Sequence, residues 1–66
     1  MKITYDKEAD AMYIKFSNAS FSKNQLIDRQ TILNLDADGQ IIGIEILEVS
    51  KRIPKGFMKS VSVENL

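Results

Sequence analysis

The chain has 66 residues, nine basic and nine acidic, and contains neither cysteine nor histidine. Without cysteine there is no disulfide framework and no thiolate metal site. Without histidine the commonest general base, zinc ligand and pH switch are missing too. Balanced charge lacks the basic footprint of a nucleic-acid binder, and no apolar run approaches the ~18 residues of a membrane span.

Sixty-six residues make one small domain, 1–66. A chain this short buries only about 60% of the surface that its unfolded form exposes. Domains of this size tend to need a staple, and with disulfides and thiolate metal sites gone the remaining staple is another chain. Self-assembly, as a dimer, is therefore expected. Met1 to Asp6 lacks the apolar core of a signal peptide, and a cytoplasmic protein is the expectation.

Alternation of apolar and polar residues, the signal of a half-buried strand, dominates the first two thirds of the chain. Lys2 to Tyr5 alternates, with Ile3 and Tyr5 on one side. The turn-forming run Asp6-Lys7-Glu8-Ala9-Asp10 follows. Met12, Ile14 and Phe16 then recur at spacing two, so the two segments predict a β-hairpin. Ser17 to Asn24 is a polar loop with Phe21 as its one large apolar residue. Gln25 to Arg29 predicts a short edge strand, where mixed polarity discourages unwanted pairing. Thr31 to Leu35 predicts a clearer strand. Asp36-Ala37-Asp38-Gly39 predicts a tight turn, with Gly39 taking the positive φ that a side chain would disfavour. Gln40 to Leu47 is the strongest strand, with Ile42, Ile44 and Ile46 in one apolar row. A glycine inside a strand marks a bulge or a close neighbour, and Tyr13 is the neighbour expected over Gly43.

Glu48 to Ile53 predicts a short helix, its acid early and Lys51-Arg52 late as the helix dipole prefers, stopped by Pro54 and Gly56. The tail is ambiguous: Val61 and Val63 suit a strand, whereas Phe57, Met58 and Val61 suit a helix face. The fold class predicted is α+β, a small antiparallel β-meander of four to five strands with a short C-terminal helix packed on one face. That face would carry Met12, Ile14, Phe16, Ile42, Ile44 and Ile46. One short helix is too small to cover it, leaving the remainder to a second sheet or a foreign surface.

Two motifs in the same order and spacing, Tyr5-Asp6-x-Glu8-Ala9-Asp10-Ala11-x-Tyr13-Ile14 and Asp36-x-Asp38-Gly39-x-Ile41-x-Gly43-Ile44-Glu45-Ile46-Leu47-x-x-Ser50, carry a family resemblance. The chain resembles the small prokaryotic family called domain of unknown function 2283 over residues 1–53. Met12 and Val49 stand where that family usually has Leu and Ala, and the tail 54–66 lies outside the pattern. The resemblance implies a β-meander with a terminal helix and no assigned activity. Some members lie beside small toxin-like genes of the RelE type, which implies an antitoxin role for those members.

Candidate sites have plain structural readings beside the functional ones. Asp6, Glu8 and Asp10 would suit a hard cation as a cluster, but Asp6 equally suits an Asx turn, with Glu8 and Asp10 as solvated corner charges. The Asp36–Gly39 turn looks at first like an EF-hand start, yet its third acid is missing, its glycine comes early and its flanks are strands. No metal and no cofactor is therefore expected. Glu45 lies mid-strand, facing away from the isoleucines. It is read as a surface residue paired with Lys15 or Arg29 across the sheet, or else as an acid/base or partner contact. Ser50-Lys51 is poorly placed as a dyad, because adjacent helical residues do not face each other; Ser50 is expected to hydrogen-bond back to its helix. Tyr5 and Tyr13 are read as packed rings with wet hydroxyls. Lys51, Arg52, Lys55 and Lys59 form a basic cluster that suits a solvated helix end.

Together these residues predict a non-enzymatic protein-interaction domain, homodimeric, with Asp6, Glu8, Asp10, Tyr13, Glu45, Glu48, Lys51 and Arg52 as candidate partner contacts. The alternative is an antitoxin-like protein whose acids oppose a small basic toxin-like protein. A direct nucleic-acid or membrane role is not expected, and a metal-binding or enzymatic role through the acidic turns ranks last.

Overall fold

The computed structural model describes all 66 residues. Its strands are β1 (Lys2–Asp6), β2 (Ala11–Lys15), β3 (Lys23–Asp28), β4 (Thr31–Leu35), β5 (Ile41–Leu47) and β6 (Glu64–Asn65). Two one-turn helices, α1 (Val49–Arg52) and α2 (Phe57–Ser60), lie between β5 and β6. All six strands join one sheet in the order β3-β4-β5-β2-β1-β6. The α+β class holds, with three corrections. The sheet is not a meander, because β2 pairs with β5 rather than with β3. There are six strands rather than four or five, and β6 pairs with β1 in parallel, so the sheet is mixed. A two-residue strand carries no alternation to read. The tail resolves its own ambiguity by being both, first α2 and then β6. No helix is long and apolar enough to cross a membrane.

Local chemistry sets each turn. Asp6 Oδ1 accepts the N–H groups of Glu8 and Ala9, at 3.0 and 3.2 Å, closing the first hairpin as an Asx turn. Asp36 Oδ1 accepts from Asp38 and Gln40, both at 2.9 Å, and Gly39 takes φ 81° in that turn. Between β2 and β3 the chain crosses the ends of β5 and β4. Phe16 N–H donates to the Ile42 carbonyl at 2.9 Å and Ser22 N–H to the Leu35 carbonyl at 2.8 Å. Leu35 and Ile42 are buried at this crossing.

Pairing register lines up the apolar face in two rows. Ile3, Ile14, Ile44 and Leu33 run across β1, β2, β5 and β4, with Tyr5, Met12, Ile46 and Thr31 beside them. The rows end in polar residues on β3, where Gln25 stands opposite Leu33 and Asp28 opposite Thr31. Val49, Ile53, Phe57, Met58, Val61 and Val63 cover the β1–β2 half, packing on Ile3 and Met12. Met12 is 1% exposed, the deepest side chain in the molecule. Burying a side chain of this kind contributes roughly 1.5–3 kcal/mol. Ile14 and Ile46 pack against the Ile3–Met12–Val49 cluster, while Ile44 and Leu33 beyond them stay half-buried. The result is a slab of 34 × 24 × 18 Å with a radius of gyration of 12.1 Å. A compact chain of this length has a radius of gyration of about 10.8 Å, so the sheet is spread rather than rolled up.

Candidate functional site

The polar residues gather in three places. The first is the β1–β2 corner. Asp10 sits at φ 51°, a left-handed conformation that aspartate tolerates better than most residues. There its carboxylate reaches the start of α1. Ser50 N–H donates to Asp10 Oδ1 at 3.0 Å and Oδ2 at 3.2 Å, and Ser50 Oγ donates to Oδ2 at 2.6 Å. Tyr5 completes the clasp, its hydroxyl donating to Asp10 Oδ1 at 2.8 Å. The Asp10 carbonyl takes Val49 N–H at 3.0 Å. Ser50 therefore does not bond back to its own helix as expected; a carboxylate forty positions away makes the stronger, charge-assisted bond. The Ser50 and Tyr5 hydroxyls hold the Asp10 carboxyl below its usual range, and the same bond to Asp10 raises the Tyr5 phenol above its own.

The second place lies at the foot of β3 and β4. Arg52 Nη1 donates to the carbonyls of Gln30 and Leu47, and Nη2 donates to Thr31 Oγ1 at 2.7 Å. Asp28 Oδ2 stands 4.0 Å from the guanidinium. Asp28 Oδ1 accepts Gln30 N–H at 2.7 Å, the main reason its carboxyl is held below its usual range. Glu48, at φ 53°, accepts from the Gln30 side-chain amide. Arg52 and Glu48 thus tie the segment after β5 to the β3–β4 turn.

The third is the face of the sheet away from the helical cover. Here Tyr13 stands opposite Glu45, and Asn34 opposite Gly43. The Tyr13 ring lies over Gly43, as expected: a Cβ built there would come 2.7 Å from Tyr13 Cζ. The buried Asn34 amide donates to Asn24 Oδ1 at 2.8 Å and to Glu45 Oε2 at 2.9 Å. Glu45 is therefore not paired with Lys15 or Arg29. Register sets Lys15 opposite Gly43, and Arg29 lies in the turn beyond the end of β3.

These places are separate. Asp6, Glu8 and Asp10 do not converge, and nowhere do three potential ligands come together in a metal-holding group. Glu8 and Lys51 are exposed. The residues missed in the sequence are Asn34, Asn24 and Gln30. A lone asparagine inside Thr-Ile-Leu-Asn-Leu was a legible signal for the first, since a polar side chain in a central strand requires a partner. One open cleft, of about 230 Å³, lies between Tyr5, Ser50, Ile53, Lys55 and Met58. Small-molecule sites usually occupy about 300–1,000 Å³, so this one is undersized.

Fold and polar networks define a small α+β protein in which Asp10, Glu48 and Arg52 tie separate elements together. The family model described as "Protein of unknown function (DUF2283)" matches residues 2–50. The chain belongs to that family. No curated relative and no solved structure matches it. The matched segment spans all of β1 to β5 and ends on Ser50, so both halves of the Asp10–Ser50 clasp lie within it. The residues that cover Ile3 and Met12 lie mostly beyond it.

Proposed function

We propose that this chain is a non-enzymatic protein-interaction domain that works as a homodimer. What carries the reading is surface that one chain leaves open. The molecule exposes 4838 Å² at a mass of 7.5 kDa. Folded monomers of that mass expose about 4,250 Å². The excess, about 600 Å², approaches the roughly 800 Å² that each partner buries in an ordinary complex. Large apolar side chains supply part of it: Phe16, Phe21, Leu26, Ile27 and Ile41 are all exposed. Leu26 and Ile27 lie on β3, and Phe16 and Phe21 bound the loop that crosses toward it.

The non-enzymatic part rests on the clasp. Asp10, Tyr5 and Ser50 form the one constellation that resembles an acid–base group, and a carboxyl held below its usual range is a poor base toward a serine hydroxyl. The chain has no histidine, the commonest alternative base. The antitoxin alternative draws no support from this geometry. Of the acids that would oppose a cationic toxin, Asp6, Asp10, Glu45 and Glu48 each accept hydrogen bonds from the chain's own donors. Sedimentation equilibrium of the pure protein at low micromolar concentration tests the dimer: a two-chain mass is expected, and a single-chain mass refutes it.

A further inference from the structure

The two edges of the sheet differ, and the difference identifies a seam. One edge is β6, two residues long and flanked by the Lys2–Glu64 ion pair at 3.0 Å. The other is β3, six residues that are exposed without exception. Only β4 pairs with it, so alternate N–H and C=O groups along β3 point to solvent. Leu26 and Ile27, 64% and 57% exposed, sit on this strand. The helical cover lies over the β1–β2 half and leaves this edge unobstructed.

Resting on the homodimer reading, we infer that β3 is its seam: two copies pair their β3 strands antiparallel about a twofold axis through Gln25. The charges of β3 fit that register. Lys23 and Gln25 face the side of Leu35 and Leu33 on β4. A bulge at Ile27 shifts the strand by one residue, so Asp28, opposite Thr31, faces that side as well. With Gln25 on the axis, Lys23 of each copy meets Asp28 of the other, twice over. The uncharged centre Asn24-Gln25-Leu26 meets itself. Lysine at an edge and a bulge near a strand end ordinarily deter stray strands. Here the same two devices admit one partner, a copy in this register, and oppose most others. An axis normal to the sheet keeps both helical covers on the same side; of α1, Arg52 reaches the seam, 4.0 Å from Asp28. Each copy then adds its six strands to one continuous sheet, with the half-buried Leu33 and Ile44 of both copies flooring a trough between the covers.

Two variants of the full chain test the seam, beside the wild type. Lys23 makes no ion pair within the monomer and is exposed, so Lys23→Glu leaves the fold intact while setting like charges together at both ends of the seam. Its dimer dissociation constant is expected to rise at least about tenfold at low salt, and by less at high salt. Because the chain has no cysteine, Gln25→Cys introduces a single thiol on the axis. Mild oxidation is expected to give a disulfide-linked dimer, whereas an Asn18→Cys control in the exposed loop gives none. A single-chain mass for the wild type overturns the homodimer itself. A wild-type dimer combined with unchanged dissociation of Lys23→Glu, or with no cross-link through Gln25→Cys, overturns the seam and leaves the homodimer standing.

Discussion

Asp10 shows how much one side chain can organise in a chain this small. It sits at a positive φ, ends one turn and anchors the start of α1, and its two oxygens receive three hydrogen-bonding groups. That arrangement needs the carboxyl ionised and the Tyr5 phenol protonated. Because the folded-state pKa of Asp10 is lowered, its contribution to stability is complete above the ordinary aspartate value of about 3.9. It disappears as pH falls through the lower, folded value. For Tyr5 the folded-state value is raised, so its share is complete below about pH 10 and fades as pH rises through the higher value. Asp10→Asn is therefore expected to lower the melting temperature at neutral pH, and to differ less from the wild type as pH falls below about 3.9. Thermal unfolding followed by circular dichroism between pH 2 and 7 reads this directly. A constant difference across the range would show that the charge is not what matters.

Among the elements, β2 and β5 meet in one close side-chain fit. Tyr13 and Gly43 fit each other diagonally across them, and a methyl group at Gly43 would sit within 2.9 Å of Tyr13 Cε1. Gly43→Ala is expected to destabilise the fold by about 1–3 kcal/mol through overpacking. Tyr13→Leu should relieve most of that loss, giving a coupling above about 0.5 kcal/mol in a double-mutant cycle. Additive effects in urea titrations would mean that the ring moves aside freely. This contact was legible from sequence, since a glycine amid isoleucines demands a neighbour. So were β1 to β5, whose alternation survives in the structure within a residue or two. What lay out of reach has a common cause. Alternation tells which side a residue faces but not which strand stands beside it, so the crossing of the chain from β2 past β5 and β4 to β3, and the parallel β6, had no local signal. The partners of Ser50 and Glu45 were hidden for the same reason. Asp10 lies forty positions from Ser50, and Asn34 reaches Glu45 only once β4 and β5 are in register.

Across the whole molecule, the sheet divides at that same β2–β5 boundary. On one side β3, β4 and β5 are joined by short turns. On the other β1 and β2 form a second hairpin, roofed by the tail. Residues as distant as Ala11 and Leu47 meet where the halves join. Closing so long a loop loses chain entropy before any contact compensates it, which makes that step the slow one. Met12→Ala, at the join, is expected to destabilise by about 2–5 kcal/mol and to appear largely as slower folding. Val63→Ala, in the roof, should act mainly by speeding unfolding. Stopped-flow chevrons separate the two, and equal partition of both effects would place the slow step elsewhere. Until the halves close, Ile44 and Ile46 lie on a strand, β5, with one edge unpaired. The time a newly made chain spends in that state sets its exposure to clumping, which grows with the concentration at which it refolds.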